Sequence, residues 1–221
     1  MKKYILFTII TLASGILFAQ NDKYIKAMEK ALTQLDTVQT AEGFQKVANT
    51  FERIAMNEKS EWLPAYYQAY CNMMIAVAKM QAEDIPTCIA FVDKAQAALD
   101  AAKALAPQES EIITLQGYVY QGRIWENPMV KGAEYSPKIQ EAFQTAIALN
   151  PENPRPYYLF GQQLLYTPEF YGGGAKSALP WLEKAEAKYA SYQAPSSIHP
   201  TWGNGANNYM LDTARKQISG K

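Results

Sequence analysis

Apolar residues along this chain recur mostly at three- and four-residue intervals, and almost nowhere at every second position. Tyr24, Ile25, Met28, Ala31, Leu32 and Leu35 mark one helical face, over Asp22 to Thr37, with Asp22 available as N-cap. Phe44, Val47, Ala48, Phe51, Ile54 and Ala55 mark a second. The same reading predicts helices over Trp62 to Lys79, Thr87 to Leu105, Ser110 to Ile124, Pro137 to Leu149, Pro154 to Tyr166, Ala175 to Tyr189 and Asn204 to Ile218. Ser110 is expected to cap the fifth. Ser136, followed by Pro137 at the first helical position, is expected to cap the sixth. The expected fold class is all-α.

Three stretches share one layout. They are Ala95-x3-Leu99…Ala102…Pro107, Ile139-x3-Phe143…Ala146…Pro151 and Ala178-x3-Leu182…Ala185. Gly117-x2-Tyr120 precedes the second of them. Tyr157-x2-Phe160-Gly161 precedes the third, and Pro64 to Tyr70 is a further copy of that element. Small residues at the Ala and Gly positions would let paired helices touch, and large rings would fill the gap to the next pair. The spacing from Pro107 to Pro151 is 44 residues against a repeat of about 34. The excess is expected as an extended loop between Gln121 and Ser136. A smaller insertion falls over Thr167 to Gly174.

The repeat signature is that of tetratricopeptide arrays. The segment from Asn150-Pro151-Glu152-Asn153-Pro154 through Tyr171-Gly172-Gly173-Gly174 to Ala185, with the ending His199-Pro200-Thr201-Trp202-Gly203, resembles small exported tetratricopeptide-like proteins of Gram-negative bacteria. The resemblance implies a tetratricopeptide-like α-solenoid of about four helix pairs plus a C-terminal capping helix. It also implies an exported location, and no particular activity.

The N-terminus agrees with export. Lys2 and Lys3 precede an apolar run from Ile5 to Phe18, and Ala19 offers a small residue for cleavage. We therefore expect a signal peptide over 1–19 and one helical-repeat domain over 20–221, periplasmic or secreted. No second stretch is long and apolar enough to span a membrane. Removing the two lysines leaves 19 basic against 21 acidic residues, a net charge of −2, which is no footprint for nucleic acid. Hairpin geometry would separate Cys71 from Cys88 by about 9 Å along the helix axis at ~1.5 Å rise per residue, so both are expected as free thiols.

Catalytic chemistry finds little support. The single His199 stands beside Ser196 and Ser197 in a Pro-rich loop, which is not triad geometry. Its expected role is to help dock the C-terminal segment, with Trp202 as anchor. Gly172-Gly173-Gly174 lacks the flanking pattern of a phosphate loop and is read as a turn. No metal-ligand spacing is present, and neither cofactor nor enzymatic activity is expected. Helical register puts Tyr67, Tyr118, Gln121, Arg155, Tyr158, Gln162 and Tyr166 on one concave groove, a surface suited to a peptide. The leading expectation is an exported non-catalytic protein that binds a polypeptide or cell-envelope partner there. The alternative is a periplasmic small-molecule binding module linked to uptake. A groove filled by the protein's own loops would instead favour a structural role for that face.

Overall fold

A computed structural model describes residues 22–220. Among them are nine α-helices and no strand. They are α1 (22–35), α2 (Ala41–Asn57), α3 (Leu63–Gln81), α4 (Ile85–Leu105), α5 (Ser110–Ile124), α6 (Pro128–Leu149), α7 (Arg155–Tyr166), α8 (Ala175–Ser191) and α9 (Asn204–Ser219). A short 3-10 turn, Glu169–Tyr171, lies between α7 and α8. The expected signal segment lies outside the described residues.

Helices pair as antiparallel neighbours: α3 with α4, α5 with α6, and α7 with α8. The inner helices α3, α5 and α7 lie side by side, and α9 packs on α8 and α7 at the end of the stack. α1 adds Tyr24, Met28 and Ala31 to the same continuous core. Glycines bring the helices of the α5–α6 and α7–α8 pairs close. A Cβ on Gly117 would come within 2.5 Å of the Phe143 ring, and one on Gly161 within 2.6 Å of Leu182. Ala95, Ala102, Ala146, Ala178 and Ala185 are all fully buried. Phe160 packs against Trp181 within the α7–α8 pair and against Phe143 of the neighbouring pair.

Two local expectations are corrected. The excess residues after Gln121 do not form an extended loop. α6 starts at Pro128, nine residues before the expected start, because Asn127 caps it by accepting from Val130 N–H at 3.3 Å and Pro128 occupies the first turn. Pro137 therefore sits inside the helix. It is exposed, so water can meet the carbonyl its missing N–H leaves free. The N-cap of α5 is Glu109 rather than Ser110. The Ser110 hydroxyl instead donates across the pair to the Ala146 carbonyl at 2.9 Å. Cys71 and Cys88 are both free and buried.

Candidate functional site

Residues 192–203 link α8 to α9 without forming a helix, and they lie on the face shared by α3 and α7. Several side chains hold this strap by its backbone. The Tyr67 hydroxyl donates to the Ile198 carbonyl at 3.0 Å. Arg155 donates to the Pro200 carbonyl, and the Tyr189 hydroxyl donates to the Trp202 carbonyl at 3.2 Å. Trp202 stacks on Tyr70 at 4.7 Å, and its indole N–H donates to the Tyr66 hydroxyl at 3.0 Å. His199 pairs with Ser196 through Nδ1 at 2.7 Å and stands edge-on to Trp62. Trp202 thus anchors the segment, as its sequence context suggests.

Arg155 is the centre of this arrangement. It is fully buried, and its guanidinium meets Glu111 at 2.8 Å. The same group lies over the Tyr192 ring at 4.9 Å and the Trp202 ring at 5.3 Å. Burial pushes the Glu111 carboxyl above its usual range, with Arg155 acting the other way. Burial also opposes the charge on Arg155, but Glu111 and the surrounding phenols outweigh it and hold its pKa above the ordinary value. A buried pair of this kind needs its remaining hydrogen bonds satisfied to survive. Asn153 and the Pro200 carbonyl meet the two terminal nitrogens of Arg155, while its buried Nε finds no partner among the described residues.

The sequence-predicted groove residues divide accordingly. Tyr67, Tyr118, Gln121, Arg155 and Tyr158 are buried. Burial raises the pKa of all three phenols, so they stay neutral. The Gln121 amide donates to the Leu159 carbonyl at 2.9 Å, and Gln162 donates to the Tyr158 hydroxyl at 3.2 Å. Gln162 is half-buried. Tyr166 alone is well exposed, at 68%, and its hydroxyl reaches the Met210 sulfur at 3.6 Å. What stays open on this face is a cleft of about 270 Å³ lined by Leu32, Leu35, Asp36, Phe44, Tyr70 and Trp202.

Beside Tyr166, a second surface shows what sequence reasoning did not single out. The turn after α7 exposes Phe170 at 91% and Tyr171 at 68%. Its shape is imposed by three glycines. Gly172 and Gly174 have φ of +83° and +88°, and a Cβ on Gly173 would fall 2.1 Å from the Thr167 carbonyl oxygen. Backbone bonds close the turn on α7, with Gly174 N–H donating to the Leu164 carbonyl at 2.8 Å. Below it opens a cleft of about 500 Å³, lined by Leu165, Tyr166, Pro168, Glu169, Lys176 and Ile218 among others. Met129 and Val130, at the start of α6, are also exposed. α6 and α7 neighbour each other in the stack, and residues 129–130 and 166–171 occupy the same end of it. The signal available in the sequence was that both deviations from the repeat period carry large apolar residues.

Among the described residues, no group of three or more His, Cys, Asp and Glu side chains is arranged to hold a metal ion. No described helix is long and apolar enough to cross a membrane.

No protein-family model matches the chain, and no curated protein sequence matches it. Among solved structures, it is similar to the HusA haemophore from Porphyromonas gingivalis. The sequences are 32% identical and the TM-score is 0.76, over 88% of this chain and 94% of the haemophore.

Proposed function

Since the chain belongs to the family of the HusA haemophore, we propose that it is an exported, non-enzymatic binding protein whose cargo is haem or a closely related tetrapyrrole. The observation that carries this reading is the likeness to a haemophore across nearly that protein's whole length. It favours the small-molecule alternative over a polypeptide partner. The exposed aromatic surface of the C-terminal half supports it further, because haem is a planar, largely apolar ring with carboxylates at its edge. Haem is here a ligand to be carried, and the chain's task is to shield the ring from water and release it intact.

His199, the chain's one imidazole, is engaged with Ser196 inside the strap. Cys71 and Cys88 are buried, and burial pushes the Cys88 thiol up to about 11, so neither offers a ready thiolate. The exposed rings of the C-terminal half offer apolar and aromatic contact as a means of holding the tetrapyrrole. A peptide bound across the inner face would have to displace the strap from Tyr67, Arg155 and Tyr70, leaving the Arg155–Glu111 pair without its Pro200 acceptor.

Titration of the purified chain with haemin tests the reading. A saturable shift of the Soret band with one site per chain is expected. A featureless, non-saturating response would overturn it.

A further inference from the structure

We propose that the tetrapyrrole is held on the Phe170–Tyr171 turn and Tyr166, over the cleft that runs from the end of α7 to the end of α9. This rests on the carrier reading above and assigns it a place.

Four observations converge there. First, aromatic rings are normally covered in a soluble protein, and a cluster of exposed ones marks a binding surface. Phe170, Tyr171 and Tyr166 are each at least two-thirds exposed, and Tyr209 on α9 is exposed at 66%. Second, the rings are presented by a rigid turn. The glycine geometry admits no side chain at Gly173, and the closing bonds from Tyr171, Gly172, Gly173 and Gly174 tie the turn to itself and to Leu164. A backbone held in this way loses little further freedom on binding, which favours affinity. Third, Phe170 and Tyr171 meet edge to face at 5.2 Å, which leaves ring faces open for stacking. The cleft below adds an apolar wall from Leu165, Pro168 and Ile218, and its volume of about 500 Å³ is in the range of small-molecule sites. Fourth, Lys176 stands at the mouth and can pair with a ligand carboxylate, with Glu169 as the opposing charge.

The cleft on the inner face is the competing place, and it fits less well. Tyr70 and Trp202 stack on each other there, and Trp202 also carries Arg155, so the Trp202 ring and one face of Tyr70 are already engaged. The charged group lining that cleft is Asp36, which repels a carboxylate.

The test is haemin titration of the full exported chain and three variants. Phe170→Ala/Tyr171→Ala should weaken binding tenfold or more while leaving the melting temperature unchanged, because both rings are exposed. Lys176→Glu should weaken it about threefold, with an effect that fades as salt rises. Tyr70→Leu, which alters the inner cleft, should stay within about twofold of the unmodified chain. Unchanged binding by the double variant, or a loss confined to Tyr70→Leu, overturns the assignment while leaving the carrier reading in place. Failure of the unmodified chain to bind haemin overturns both.

Discussion

The inner face of the stack and the turn after α7 are both rich in aromatic residues, and they use them in opposite ways. On the inner face the rings are spent on the chain itself. Tyr66, Tyr67 and Tyr70 hold the strap, Trp202 caps them, and a buried Arg155–Glu111 pair is sealed beneath. At the turn, Phe170 and Tyr171 touch chiefly each other and water. Aromatic content therefore does not mark a ligand surface by itself. What separates the two regions is whether the chain has already supplied a partner for each ring.

That contrast can be broken from either side. The largest effect is expected at Arg155. Arg155→Ala removes the strap's main tether and leaves Glu111 buried without its partner, which should cost about 3–5 kcal/mol. Chemical denaturation measures this, and a loss under about 1 kcal/mol would mean that the strap is only loosely docked. Tyr158→Ala comes next. Its ring is buried beside the strap, so truncation should lower stability by about 3 kcal/mol. A thermal melt unchanged by this substitution would return Tyr158 to the binding surface.

Gly173→Ala probes the other region. Its new methyl group cannot coexist with the Thr167 carbonyl, so the turn must open, at about 1–3 kcal/mol, and haemin binding should fall with it. Retained binding would show that the turn's shape is irrelevant. The smallest effect concerns pH. Burial holds the His199 pKa below its ordinary 6.5, so the unfolded chain takes up the proton first as pH falls. Stability contributed by the neutral ring is present above that value and is lost progressively below it. His199→Gln should flatten the stability profile as pH falls below about 6.5, and an unaltered slope would remove His199 from the account.

Much of the fold was legible because it is local. Helical spacing and the small residues at Gly117, Gly161 and Ala178 announce which helices touch, and those contacts are present. The start of α6 was misread because Ser136-Pro137 and Asn127-Pro128 carry the same cap-and-proline signal, and only packing chooses between them. Tyr67 and Arg155 both bond the strap at 192–203. That the strap covers them could not be read locally, since Tyr67 meets Ile198, 131 residues away. The triple-glycine turn was recognisable as a turn. Its role in holding two rings out in water depends on three-dimensional exposure that spacing does not encode.

Hydrogen–deuterium exchange with and without haemin tests the central contrast most directly, because it reports on both regions in one experiment. The account predicts new protection over residues 164–176 and along α9, with the strap at 192–203 exchanging at the same rate in both states. Protection appearing in the strap and α3, with none around Phe170, would contradict it.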